Sequence, residues 1–203
     1  MRLLPYHLLI AVCLFFQQSP EAKLFPLPAD MEYTFPGAKL NDSDAKLLEK
    51  AFAADFAKQD YCDKKPALGQ LATADISLGK LGSGVIVKGN DICLCGGTGQ
   101  CAMYFYVREE NGYRPVCEGF GWAFAFVDSN TEVPDLVFAH SGGGGLMTLI
   151  LLRYDGRVYV KRGCDKLTAK EGFPQSPEDW WDSSKVLVSP CDKNLPNSRS
   201  DTH

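Results

Sequence analysis

The chain's patterning predicts an α+β fold, mainly antiparallel β-sheet built from duplicated hairpins, with one N-terminal helix packed on it. Three observations carry that reading. Between residues 76 and 162, short runs alternate large with small or polar side chains, the period of strands in a sheet. Asn111-Gly112 and Asp155-Gly156 interrupt those runs, and both dipeptides tolerate the positive φ of tight hairpin turns. Helical spacing is clearest near the N-terminus, where Leu48, Ala51, Phe52 and Phe56 form one narrow apolar stripe.

Taken in order, the chain begins with Met1-Arg2, an apolar stretch from Leu8 to Phe16, and polar Gln17-Gln18-Ser19. That succession predicts a secretory signal peptide over residues 1–22, with cleavage near Ala22. A lipoprotein signal ending at Cys13 is the weaker alternative, because Val12 stands where a small residue is needed. The apolar run is too short to span a bilayer, and the expected location is secreted or periplasmic. Residues 23–40 hold Pro26, Pro28 and Pro36 and read as an extended segment. Asn41-Asp42-Ser43-Asp44 then offers N-cap candidates and first-turn negative charge for a helix running to about Ala57. Its narrow stripe predicts packing against a sheet.

Met103, Phe105 and Val107 alternate with Tyr104 and Tyr106, while Trp122, Phe124 and Phe126 alternate with Ala123, Ala125 and Val127. The turns join Cys101–Arg108 to Tyr113–Val116 and Leu146–Arg153 to Val158–Arg162. Each hairpin follows a glycine-rich stretch, Gly97–Gln100 or Gly142–Gly145, so the two read as a repeat offset by about 45 residues. Two units are too few for a propeller, which leaves a duplicated hairpin in one sheet or sandwich. Leu149-Ile150-Leu151-Leu152 is apolar at every position and predicts a central strand covered on both faces. Ser176-Pro177-Glu178-Asp179 reads as the start of a short helix through Trp180-Trp181, and residues 192–203 as a flexible polar tail. Residues 41–191 are thus expected to form a single domain.

Composition narrows the function. In 203 residues, 45% are hydrophobic, and 21 Lys+Arg stand against 25 Asp+Glu, a net charge of −4. A slight acidic excess with no long basic run lacks the electrostatic footprint of a nucleic-acid binder. Seven cysteines follow the leader, and in an exported chain they read first as disulfides. Cys95 with Cys101 would close a glycine-rich hairpin tip, and Cys164 with Cys191 would fasten the C-terminal tail to the last strand. Cys62, Cys93 and Cys117 are left without an assigned pairing, and an odd count leaves one thiol that could link two copies.

Several constellations carry possible chemistry. Asp128, Asn130, Glu132 and Asp135 alternate oxygen ligands as a calcium loop does. They resemble the calcium loops of the FG-GAP and VCBS repeat families, in which such a loop leads into a Pro-Asp-Leu strand start, here Pro134-Asp135-Leu136. Val133 stands in place of the glycine those loops use, so a solvated turn between strands is the favoured reading. His140 and Ser141 followed by Gly142 and Gly143 resemble an esterase oxyanion loop, yet no Gly-x-Ser-x-Gly elbow occurs, and a glycine loop shaping a ligand edge fits better. Trp180 offers an aromatic ring to a sugar or protein. The acidic pairs Glu109-Glu110 and Glu178-Asp179 read as surface charge.

From Ala74 to Cys164 the chain resembles a group of uncharacterised exported bacterial proteins. They share a short N-terminal helix, a Cys-x5-Cys hairpin (Cys95 to Cys101), the Pro-Asp-Leu strand and a Tyr-Asp-Gly turn (Tyr154-Asp155-Gly156). The resemblance implies a fold and no activity. The sequence therefore predicts an exported, disulfide-containing binding or envelope protein, non-enzymatic, recognising a protein or glycan, with no membrane span, no required cofactor and an open oligomeric state. A hydrolase of envelope polymers using paired carboxylates is the alternative, and a calcium-stabilised module the third reading.

Overall fold

A computed structural model describes residues 35–57, 66–91, 93–97, 99–127, 131–170 and 186–191. The predicted leader, Cys62, the helix predicted to start at Ser176 and residues 192–203 lie outside the described residues. Among the described residues, no helix is long and apolar enough to cross a membrane.

The helix forms where its cap and stripe place it. α1 runs Asp42–Phe56, and the Asn41 side chain accepts a hydrogen bond from the Asp44 N–H at 2.8 Å. That satisfies one of the donors a helix start leaves open, and Asp42 and Asp44 add negative charge at the positive end of the dipole. Leu48, Phe52 and Phe56 are buried against Val85, Val87, Tyr104 and Tyr106. Phe52 meets Tyr104 edge-on, with ring centroids 5.3 Å apart.

Among the described residues, nine strands make two wholly antiparallel sheets. β1 (Ala72–Ser77), β2 (Ser83–Lys88), β3 (Cys101–Glu109) and β4 (Gly112–Gly121) pair in the order β1-β2-β3-β4. β5 (Ala123–Val127), β6 (Asp135–Gly143), β7 (Leu146–Tyr154), β8 (Tyr159–Ala169) and β9 (Val186–Pro190) pair in chain order as well. Period-two alternation sends Tyr104 and Tyr106 of β3 toward α1 and Met103, Phe105 and Val107 toward the second sheet. There Phe105 packs with Phe124, Leu136, Phe138 and Leu152, so the sheets face one another across a shared core. The β-sandwich carries its helix on the outer face of the four-stranded sheet.

The predicted repeat is split between the layers, one hairpin, β3–β4, in the first sheet and the other, β7–β8, in the second. Their turns differ from the simple expectation. Glu109 pairs with Gly112, so Glu110 and Asn111 are the loop residues and Gly112 already belongs to β4. Tyr154 pairs with Tyr159 across a four-residue loop, in which the Asp155 carboxylate accepts from the Arg157 and Val158 N–H groups at 2.8 and 2.9 Å. These hydrogen bonds hold the Asp155 carboxyl below its usual pKa. Arg114 bridges the two tips, pairing with Glu109 at 2.6 Å and donating to the Arg157 carbonyl at 3.0 Å.

The run Leu149–Leu152 lies in β7, the middle strand of five, and feeds both sides. Leu152 joins the inter-sheet core, while Leu149 and Leu151 join Ala123, Ala125, Val137 and Leu167 on the opposite face. Trp122 packs with that small-residue cluster rather than with Phe124 and Phe126. The chain leaves the first sheet at Gly121, and the side-chain alternation restarts on entering β5. The end of the extended N-terminal segment is docked. Phe35 packs on Phe124, and Gly37 donates to the Thr73 carbonyl at the edge of β1.

Candidate recognition site

At the end of the sandwich where β3 begins and β6 ends, a side chain ties the two sheets together. Gln100, 5% exposed, donates from its amide nitrogen to the Ser141 carbonyl and accepts from the Ser141 N–H, each at 3.0 Å. Its amide thus satisfies two backbone groups that would be costly to leave unpaired. Both partners sit in glycine loops. Gln100 belongs to the loop closed by the Cys95–Cys101 disulfide, whose cysteines face each other in an antiparallel bridge with Cα atoms 3.9 Å apart. Ser141 leads into Gly142–Gly145, where β6 turns back into β7. Gly144 and Gly145 have φ of +57° and +78° between Gly143 and Leu146, backbone that L side chains adopt with difficulty.

Two exposed apolar side chains and an imidazole surround this junction. Phe120 is 42% exposed, and its ring reaches the Cα side of Gly96 in the disulfide loop. The His140 Nδ1 donates to the Phe120 carbonyl at 3.4 Å, and the two rings lie 6.3 Å apart. Leu146, 43% exposed, follows the glycine turn. The structure therefore brings together His140, Ser141, Gly142 and Gly143 as sequence spacing indicates, whereas Trp180 lies outside the described residues. Sequence reasoning alone does not single out Gln100, Phe120 or Leu146. The signal for Phe120 is its place between Gly119 and Gly121, where bare backbone leaves a ring standing alone. A side chain at Gly119 would overlap the ring of Phe138, so the glycine is required by the sheet packing beneath.

The acidic loop lies at the other end. Glu132 pairs with Lys80 at 2.6 Å, and the Lys80 N–H donates to the Glu132 carbonyl. Asp135, 4% exposed, takes a two-pronged contact from Arg153, at 2.7 Å to Nη2 and 3.0 Å to Nε. Both described carboxylates of the predicted calcium set are thus held by basic side chains, and Asp128 and Asn130 lie outside the described residues. No three His, Cys, Asp or Glu side chains gather as a metal site among the described residues.

Cys95–Cys101 and Cys164–Cys191 are disulfides. Cys93 is disulfide-bonded as well. Among the described residues the free thiol is Cys117, on β4, and it packs against the inter-sheet core instead of standing out for cross-linking. Burial pushes its pKa up, which removes the thiolate that alkylating reagents attack. Iodoacetamide at pH 8 should leave the Cys117 peptide unmodified in the native protein and modify it fully in denaturant. Peptide mass spectrometry reads the difference, and rapid native labelling would contradict the packing.

A shallow groove of about 570 Å³ lies elsewhere, between α1 and residues 67–73. Asp42 and Glu49 line it, but both belong to α1 and are seven residues apart, with Lys46 between them. Two carboxylates on one wall do not face each other across a scissile bond. The glycine-loop end, by contrast, exposes the aromatic ring of Phe120 and the side chain of Leu146. Comparison of the chain with protein-family models, curated proteins and solved structures finds no match.

Proposed function

We propose that the protein is an exported, non-catalytic recognition domain that binds an envelope or surface polymer with the glycine-loop end of its sandwich. The observation that carries this reading is the Gln100–Ser141 clamp. It fixes the disulfide loop, the glycine turn, Phe120 and His140 as one preformed surface, and preformed surfaces lose little freedom on binding. Loops presented on a rigid sandwich are a common place for recognition. The Cys95–Cys101 and Cys164–Cys191 disulfides suit an oxidising compartment, as does the leader predicted from the sequence.

Co-sedimentation with the envelope fraction of the exporting cells tests the proposal. The wild-type chain should pellet with that fraction and release no soluble fragments over time. The double variant Phe120→Ala/Leu146→Ala should be retained at least about tenfold less, as loss of central anchors predicts. Steady release of reducing ends would replace this reading with the hydrolase. Undiminished retention of the variant would move the contact away from this end.

A further inference from the structure

The three stretches that meet at the glycine-loop end carry no charged side chain. Residues 95–102, 119–122 and 139–146 contain no Lys, Arg, Asp or Glu, in a chain of which 23% is charged. Surface loops are where charged side chains normally stand. Here the surface is backbone at Gly96, Gly97, Gly142 and Gly144, together with the side chains of Phe120 and Leu146. The charged neighbours are already engaged. Asp91 accepts from the Cys93 and Leu94 N–H groups, each at 3.0 Å, and Glu118 of β4 and Lys166 of β8 have interactions of their own.

Gly97 is the glycine that the fold does not explain. Gly144 and Gly145 serve a positive φ, and Gly119 makes room for the Phe138 ring. Gly97 has no positive φ, and among the described residues a Cβ placed on it would meet nothing within 4 Å. Neither backbone strain nor packing calls for glycine there. Bare backbone at a surface lets a ligand come close to its N–H and C=O groups. The Phe120 ring lies against the adjacent Gly96, so an exposed ring and an exposed backbone stand side by side.

Uncharged donors and acceptors beside such a ring match a neutral sugar, whose hydroxyls take the hydrogen bonds and whose apolar face covers the ring. A charged polymer would lose hydration here without meeting a counter-charge. Peripheral membrane docking relies on Lys and Arg around the apolar residues, and these stretches have none.

We infer that the glycine-loop end binds a neutral polysaccharide, with a sugar ring stacked on Phe120 and sugar hydroxyls hydrogen-bonded to the backbone at Gly97. This names the polymer class within the recognition reading and rests on it.

Competition in the envelope co-sedimentation of the full chain tests the inference. The competitors are envelope polysaccharide freed of protein and lipid, then split by anion exchange into a neutral and an acidic pool. The neutral pool should release the bound wild-type chain at least about tenfold more effectively, and retention should hold when salt rises from about 0.05 M to about 0.5 M. Gly97→Ala should cut retention at least about fivefold with an unchanged thermal midpoint. Phe120→Leu should do the same while Phe120→Trp keeps full retention, because a ring and not apolar bulk alone is required. Equal or stronger competition by the acidic pool, or retention that falls with salt, would overturn the neutral assignment. Competition by neither pool would make the contact a protein or lipid one and overturn the saccharide assignment. Full retention of Gly97→Ala would overturn the backbone contact. In each of these cases the wild-type chain is still retained and the recognition reading stands, whereas a wild-type chain that does not pellet would remove both.

Discussion

Phe105→Ala is expected to lower the unfolding free energy by about 4 kcal/mol, the largest loss from any single substitution in the core. Phe105 is fully buried at the middle of the sandwich. Its ring meets Phe124, Phe126 and Phe138 edge-on, at centroid distances of 5.2, 6.3 and 5.5 Å and interplanar angles of 88 to 90°. Removing it leaves a cavity and breaks three aromatic contacts, each worth about 1 kcal/mol beyond burial. A domain of this kind has only about 5–15 kcal/mol in total, so the variant should melt about 10 °C lower. Thermal denaturation followed by near-ultraviolet circular dichroism checks this. A shift of only a degree or two would mean the sheets do not share the core described.

The second large effect is expected from Cys164→Ala/Cys191→Ala. This disulfide spans 27 residues and fastens β9 to β8, reinforced by the Cys191 N–H donating to the Cys164 carbonyl at 3.1 Å. On the chain-entropy estimate its loss costs about 3.5 kcal/mol, against about 2 kcal/mol for the six-residue separation of Cys95 and Cys101. The two disulfides should therefore separate stability from recognition. Loss of Cys164–Cys191 should give the larger drop in denaturation midpoint, and Cys95→Ala/Cys101→Ala the larger drop in envelope retention. The reverse order would place the binding surface nearer β9 than the glycine loops.

The fold was legible where local chemistry and tertiary packing agree. Asn41 and the Leu48, Phe52, Phe56 stripe define the helix and its docking face, and the alternation in Met103–Val107 defines both faces of β3. Cys95–Cys101 and Cys164–Cys191 match the pairings the sequence favours, a closed glycine loop and a tail fastened to a strand, although spacing alone does not fix connectivity with Cys93 two residues from Cys95. Turn detail was less legible. Asp155 recruits two N–H groups into a longer loop, and Gly112 serves as the first residue of a strand. The site was only half legible, since His140 and Ser141 announce themselves through the glycine run beside them. Gln100 does not, because a glutamine that replaces a strand partner carries no local signature.

Hydrogen–deuterium exchange of the full chain, alone and with envelope material, tests the central claim most directly. The account predicts new protection at residues 95–101, 118–122 and 140–148, where the clamped loops, Phe120 and the glycine turn meet. Protection confined to α1 and residues 67–73, with the glycine-loop end exchanging unchanged, would contradict it and make the helix groove the functional surface.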